Sequence, residues 1–343
     1  MLELKRNHLV FTFPDIHPEA ELKITFERTL RIPDDGTTYS LPPGFGSFPL
    51  KHVDDFAENV PEEWIQHGGV MLPMYQSEAL WINFESKELD RHDAEYPFAV
   101  KIATGKVDAL TGGGLRNGLH SDIQDYLVVP EQPWLDGYSI EKGLIRQFVA
   151  MPLGSGYSAE EQITGHAEHG GLQIIVYPMK RSIFERRYPE QDFQNLRPDI
   201  RYSADFAVCE AAPDMGFAPG GRMKQEVYED PYEINDWEIN TKSRCFVHVA
   251  NSLVWRSITG DDPPTVPLTS KEYTQAGLPW FDYYNDPAKP LTGSDTLKTL
   301  KSISTIGKEK NENPLPENQS VSVTNIIELR KNLHKDEVRE GDF

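Results

Sequence analysis

The sequence predicts a mainly β protein, either a sandwich or a distorted barrel, with short helices and long Pro/Gly loops. Apolar and polar residues alternate in several short runs, which is the period of half-buried strands. The 26 prolines and 25 glycines interrupt the chain more often than a helical bundle tolerates. The aromatic residues (6 Trp, 14 Tyr and 16 Phe) also favour strands. Many short strands are commonly arranged as a sandwich or barrel.

The predicted elements follow one another along the first 255 residues. In the run 22–32, Leu22, Ile24 and Phe26 alternate with polar residues and predict a strand. Residues 51–67 predict a helix, and Thr104-Gly105 predicts a hairpin turn between two strands. The other predicted strands are 8–13, 69–72, 79–84, 98–103, 106–110, 144–151, 172–177, 202–209, 222–228 and 244–255.

The composition changes near residue 290, which divides the chain into three parts. Residues 1–290 predict one β-rich globular body. Residues 291–324 contain few large apolar side chains and predict a flexible linker. Residues 325–343 predict a short amphipathic helix and tail, because Ile326, Leu329 and Leu333 would share one helical face.

The charge and the cysteines limit the location and the partners. The formal net charge is −20, which argues against binding to nucleic acid or to an anionic membrane. The charge indicates a solubilising surface, and an acidic surface that attracts cations or basic partners is the alternative. No apolar run is long enough to span a membrane, so we expect no membrane insertion. Cys209 and Cys245 are too far apart for a CxxC motif. We therefore predict buried thiols and a cytoplasmic location.

Several blocks together resemble an uncharacterised bacterial family, common in actinobacteria, whose members are often labelled "integral membrane protein". The blocks are GGVMLPMYQSEALWINF (68–84), APGGRMKQEVYEDPY (218–232) and AGLPWFDYYND (276–286), with RTLRIPDDGTTYSLPPGFGSFPL (28–50) and QPWLDGYS…RQFVAMPLGSGY (132–157). The resemblance covers about residues 25–290. It implies no activity and no residue roles, and its membrane label conflicts with the lack of an apolar spanning segment.

The sharpest candidate for chemistry is the segment GHAEHGG, residues 165–171. His166 and His169 are candidate ligands for zinc or another divalent transition metal, and Glu168 is a candidate catalytic base. A third ligand has to come from elsewhere, and His120 or Asp122 in GLHSD is the best candidate. The spacing differs from the HExxH helix, and a polar loop that leads into the next strand explains the segment equally.

Two arginines are candidates for binding an anion. Arg146 shares a predicted strand face with Leu144 and Phe148, so it needs either a carboxylate partner, such as Asp136 or Glu141, or an anionic ligand. Arg222 follows two glycines whose backbone amides can form an anion nest. A plain hairpin turn explains these glycines as well.

Aromatic residues in Pro/Gly-rich loops are candidate contact surfaces. Trp134 and Tyr138 lie in QPWLDGY, and Trp280 and Phe281 lie in GLPWFDYY. Such side chains anchor sugars or proteins, or they plug the end of a sandwich.

Two functions remain open from the sequence. The first is a cytoplasmic binding or assembly protein, with a small ligand or a protein partner and with homo-oligomers as an option. The alternative is a metal-dependent enzyme, such as a hydrolase, that uses His166, Glu168 and His169. No complete catalytic signature is present, which favours the first function.

Overall fold

The computed structural model describes residues 1–190, 214–284 and 288–330. In these ranges the strands are β1 (Leu2–Lys5), β2 (His8–Thr12), β3 (Glu21–Thr29), β4 (Thr38–Tyr39), β5 (Gly44–Ser47), β6 (Lys51–His52), β7 (Val70–Met74), β8 (Ala79–Ser86), β9 (Glu88–Leu89), β10 (Ala94–Glu95), β11 (Phe98–Thr104), β12 (Val107–Asp108), β13 (Leu127–Val129), β14 (Trp134–Leu135), β15 (Gly137–Glu141), β16 (Leu144–Pro152), β17 (Leu172–Pro178), β18 (Met215–Lys224), β19 (Ser243–Asn251), β20 (Trp280–Tyr284) and β21 (Ile326–Arg330). The helices are α1 (Glu62–His67), α2 (Ala159–Thr164), α3 (Arg181–Arg187), α4 (Ser252–Thr259), α5 (Ser270–Gln275), α6 (Asp295–Lys298) and α7 (Ile303–Glu309).

Two large sheets contain most of the strands. The first has the order β1-β2-β3-β8-β16-β18-β4. In addition, β5 pairs with β3, β14 with β8, and β15 with β16. The second has the order β12-β11-β17-β19-β7-β6, and β13 pairs with β11. Most neighbours are antiparallel, whereas β4 with β18 and β7 with β19 are parallel. Within the described ranges, neither sheet closes on itself.

The core lies between the two large sheets. Leu22, Ile24 and Phe26 of β3, which the sequence pattern places on one strand face, are fully buried. They belong to the same apolar cluster as residues of the second sheet, such as Val100 of β11 and Val247 of β19. The fold is therefore mainly β and sandwich-like, which confirms the predicted fold class.

Several predicted elements have different bounds in the structure. The run 244–255 is not one strand, because β19 ends at Asn251 and the side chain of Asn251 accepts a hydrogen bond from the Leu253 amide to begin α4. In the run 51–67 only Glu62–His67 is α-helical. The strand predicted at 222–228 lies earlier, at Met215–Lys224. The strand predicted at 202–209 lies outside the described residues.

The segment after residue 290 packs on the body and is not a simple linker. Four apolar residues at intervals of three, Leu297, Leu300, Ile303 and Ile306, are at most 5% exposed. Leu297 and Leu300 belong to the main apolar cluster, whereas Ile303 and Ile306 pack in a separate cluster with residues such as Val149 and Tyr157, so the segment is anchored at two places.

The predicted C-terminal helix begins instead as a strand. Residues 326–330 form β21, which pairs in parallel with β20 from Trp280 opposite Ile326 to Tyr284 opposite Arg330. A short isolated helix is marginal in water, whereas β20 offers a ladder of backbone partners. The remainder of the predicted helix, residues 331–343, lies outside the described residues.

Candidate functional site

The GHAEHGG segment is a loop between α2 and β17, and a buried carboxylate organises it. Ser158 caps α2, and Gly165 ends the helix with a φ of +78°. The carboxylate of Glu160 accepts hydrogen bonds from the backbone amides of Glu168 (3.0 Å), His169 (2.9 Å) and Gly170 (2.9 Å). Glu168, the predicted catalytic base, is itself exposed, and its ionic partner is His169 at 3.9 Å. The sequence analysis did not single out Glu160, although it lies at the start of this helix.

The three histidines of the predicted metal site are not arranged as one ligand set. His166 is exposed, whereas the His169 ring lies 6.1 Å from the ring of His67. The Nδ1 atom of His120 lies 2.8 Å from a carboxylate oxygen of Asp125. Among the residues that the structure describes, no group of three or more His, Cys, Asp or Glu is arranged to hold a metal ion. The metal-dependent alternative therefore has no support from the described geometry.

His120 belongs to a buried ion-pair network. The Nζ atom of Lys101, which is fully buried in β11, donates hydrogen bonds to Asp125 (2.7 Å) and to the carbonyl oxygens of Arg116 (2.8 Å) and Gly118 (2.9 Å). The second oxygen of Asp125 accepts the backbone amide of His120. These contacts hold the loop 115–125 on the second sheet, so Asp125 and His120 have a structural role here.

His67, at the end of α1, and His248, in the interior strand β19, belong to a stack of rings. The Phe246 ring lies 4.6 Å from His67 and 4.2 Å from His248, and His248 stacks on Trp64 at 4.6 Å. Burial lowers the pKa of His248 to about 4, and burial, helped by Lys106 and His169, lowers the pKa of His67. Both imidazoles are therefore neutral at pH 7 and serve as aromatic packing elements.

Arg146 finds a carboxylate partner that differs from the predicted ones. Its Nη1 atom donates to the Gly220 carbonyl (3.1 Å) and lies 3.9 Å from Asp34. Burial lowers the pKa of Arg146, while Asp34 opposes that shift. Of the two expected partners, Asp136 bonds to Gln225 and Glu141 pairs with Lys298. Arg146 is therefore tied to the fold through Asp34.

The glycines before Arg222 lie inside β18 and form no hairpin turn. Arg222 is opposite Arg146 in the ladder between β16 and β18. A Cβ atom on Gly221 would lie 2.5 Å from the Pro33 carbonyl oxygen, and one on Gly220 would lie 2.6 Å from a methyl group of Val149. The glycines therefore permit close packing of the strand against its neighbours.

Tyr138 lies in the core and presents no surface to a ligand. It is fully buried, its hydroxyl lies 2.6 Å from that of Thr104, and it donates to the Phe217 carbonyl at 3.1 Å. Trp280 is also fully buried. The half-buried Trp134 and Phe281, by contrast, line a common surface hollow.

We call this depression the aromatic hollow, and its volume is about 300 Å³. Its walls are largely apolar, and the residues that define it are Leu41, Pro42, Trp81, Trp134, Asp136 and Phe281. The rings of Trp81 and Trp134 meet edge to face at 6.3 Å, and Trp134 meets Tyr283 in the same way at 4.6 Å. Pairing of β14 with β8, which sets Trp134 opposite Asn83, brings the two tryptophans together.

Asp136 is the polar group of the aromatic hollow. Its side chain is only 3% exposed, and burial raises its pKa to about 7. The Gln225 amide donates to the carboxylate at 2.7 Å, and the Gln225 carbonyl oxygen accepts the Asp136 amide at 2.9 Å. A concave apolar surface with one buried carboxyl of perturbed pKa is typical of a ligand site.

A second, larger cleft of about 670 Å³ has a polar and acidic lining. Asp122, Asp230 and Asp295 contribute to it. The same oxygen of Asp230 accepts hydrogen bonds from the Tyr126 hydroxyl (2.7 Å) and the Trp237 indole (2.8 Å). At least this carboxylate therefore supports the wall of the cleft.

Comparison of the chain with protein-family models, curated proteins and solved structures gives no match. The resemblance drawn from residues 25–290 therefore stays a prediction. In the described part of the chain, no helix is both long enough and apolar enough to cross a lipid bilayer.

Proposed function

We propose that the protein binds a small organic molecule in the aromatic hollow. The observation that carries this proposal is the joint presence of two indole rings, Phe281 and the buried carboxyl of Asp136 around one concave surface. The volume of about 300 Å³ lies at the lower end of the range for small-molecule sites. The hollow therefore suits a compact ligand with an apolar body.

The ligand surface is built on regular structure, which gives it a fixed shape. Trp81 lies in β8 and Trp134 in β14, while Phe281 lies in β20. Leu329 of β21 also lines the hollow, so the segment after residue 290 takes part in the site. Residues carried by paired strands are held more rigidly than residues in loops, which reduces the entropy lost on binding.

The predicted cytoplasmic location is retained in this proposal. Cys245 is a buried free thiol, which is compatible with a reducing compartment.

The test is a titration of the protein with 2-phenylethanol, a neutral aromatic probe, in which binding is measured by ligand-detected NMR. We expect saturable binding to the unsubstituted protein. Trp134→Ala and Trp81→Ala should each weaken it at least five-fold, or about 1 kcal/mol, because each removes one aromatic wall. The control is Val266→Ala, which removes apolar surface at a residue that is 73% exposed and does not line the hollow. Equal binding by all four proteins would rule out the hollow as the site.

A further inference from the structure

The chemistry of the aromatic hollow defines a ligand class more narrowly. Asp136 is the one ionisable residue among the described residues that line it. Asp136 connects β14 to β15 in the chain, and its backbone carbonyl accepts the amide of Phe148 from β16. The backbone of Asp136 is thus fixed at the wall of an otherwise apolar surface, and the Gln225 side chain holds its carboxylate at 2.7 Å.

The groups that act on the Asp136 carboxyl are neutral. They are the side chains of Trp134 and Gln225, and hydrogen bonds from both oppose the effect of burial on its pKa. The charged residues on either side of Gln225 are Lys224 and Glu226, and Lys224 is paired with Asp282 at 2.7 Å. A carboxylate has about four lone-pair sites, so Asp136 can accept further hydrogen bonds from a ligand.

The rings around the carboxyl favour the same sign of ligand charge. Trp81 and Trp134 line the hollow, and an indole face attracts a cation more strongly than any other side-chain ring. The chain also carries a net charge of −20, which raises the local concentration of cations. An anionic ligand would meet a carboxylate, two indole rings and an unfavourable long-range field.

We propose that the ligand of the aromatic hollow is a compact organic cation, with an ammonium group that contacts Asp136 and the indoles and an apolar body that packs on Phe281 and the prolines. This inference rests on the proposed function, since it names the ligand class of the same site. The ammonium group supplies the charge that the buried carboxyl lacks within the fold, so binding is strongest when Asp136 is ionised.

The ionisation of Asp136 gives the binding of a cation a defined pH dependence. With a pKa of about 7, about 3% of the carboxyl is ionised at pH 5.5 and about 97% at pH 8.5. The affinity for a cation should therefore rise by up to about 30-fold over this range and level off above it. A neutral ligand gains nothing from ionisation and should show no such rise.

The experiment compares three probes of similar size, namely 2-phenylethylammonium, 2-phenylethanol and 3-phenylpropanoate, at pH 5.5, 7.0 and 8.5. At pH 8.5 we expect the ammonium probe to bind about ten-fold more tightly than the alcohol, as a cation–π contact and an ion pair together supply at least 1.4 kcal/mol. The carboxylate probe should bind most weakly. The preference for the ammonium probe should shrink at pH 5.5.

Two variants test the ligand class and the location of the site independently. Asp136→Asn should remove the pH dependence and the preference for the ammonium probe, while the alcohol still binds. Trp134→Ala should weaken both probes. If the ammonium and alcohol probes bind equally at pH 8.5 and both depend on Trp134, the cation inference is wrong but the site stands. If neither depends on Trp134, both proposals are wrong. The pH profile of the unsubstituted protein decides the ligand class even if Asp136→Asn does not fold.

Discussion

Replacement of Glu160 by Gln should destabilise the protein by at least about 3 kcal/mol, because Glu160 holds the GHAEHGG loop through three backbone amides. One carboxylate oxygen accepts the amides of Glu168 and His169, and the other accepts the amide of Gly170. A glutamine has one acceptor oxygen. The amides of Glu168 and His169 can stay bonded to it, but their acceptor is no longer charged. The buried Gly170 amide would then face an NH₂ donor.

The magnitude follows from these three bonds. A buried donor without a partner costs about 1–3 kcal/mol, and each of the other two bonds falls from a charge-assisted value of about 1.5–3 kcal/mol to a neutral one of about 0.5–1.5 kcal/mol. The side chain of Glu160 also packs against Gly105, where a Cβ atom would lie 2.2 Å from a carboxylate oxygen. This contact leaves Glu160→Gln little space to shift and find new partners.

The assay is urea unfolding at pH 7.5, combined with hydrogen exchange on the peptide 165–171. The amides of residues 168, 169 and 170 should lose protection in Glu160→Gln. The control is Glu168→Gln in the same loop, which removes a charge that is 62% exposed and should change stability by less than about 0.5 kcal/mol. If Glu160→Gln unfolds within about 0.5 kcal/mol of the unsubstituted protein with unchanged exchange, Glu160 does not organise the loop.

Three further predictions concern a glycine pair, a buried carboxyl and the packed segment after residue 290. In urea unfolding, Gly69→Ala should destabilise the protein by over about 3 kcal/mol more than Gly68→Ala. Both glycines have a positive φ, but only a Cβ atom on Gly69 would lie 2.2 Å from the Phe246 carbonyl oxygen. The pKa of Asp136 is raised in the folded state, so its contribution to stability is lost as the pH rises from about 4 to about 7. In this window the free energy of unfolding should fall with pH more steeply for the unsubstituted protein than for Asp136→Asn, by up to about 1.4 kcal/mol per pH unit. Equal slopes for the two proteins would contradict the raised pKa. Ile306→Asp buries an unpaired charge and should make the segment 300–318 a fast proteolytic site, whereas an unchanged cleavage pattern would mean that the segment is not anchored there.

The fold was predictable where one strand face carries the apolar residues. The alternation of Leu22, Ile24 and Phe26 predicts β3, and the structure buries all three side chains. The change from β19 to α4 was not predictable in the same way, because Asn251 lies inside a continuous apolar run and only its capping bond reveals the break. Periodicity identifies a buried face, but it does not show where a short apolar run changes from strand to helix.

The predictions for the candidate site were weaker because its partners lie far apart in the chain. Arg146 was expected to pair with a nearby carboxylate, yet its partner Asp34 is 112 residues away and is brought close by the packing of Pro33 on Gly221 in β18. Trp134 was predicted as a ligand contact, and that role stays a prediction. No local signal could place Trp81 beside it, since their proximity depends on the pairing of β14 with β8.

Comparison of Asp136 with three other buried carboxyls supports the aromatic hollow as the candidate site. Asp125 is matched by Lys101 at 2.7 Å, Glu78 by Arg28 at 2.7 Å, and Glu160 by three backbone amides. In each case the fold itself provides the charge or the donors that a buried carboxylate requires. Among the described residues, Asp136 receives hydrogen bonds from two neutral side chains, Gln225 and Trp134, one donor fewer than Glu160, and it also lines the aromatic hollow. A ligand cation would give Asp136 the charged partner that Asp125 and Glu78 have within the fold.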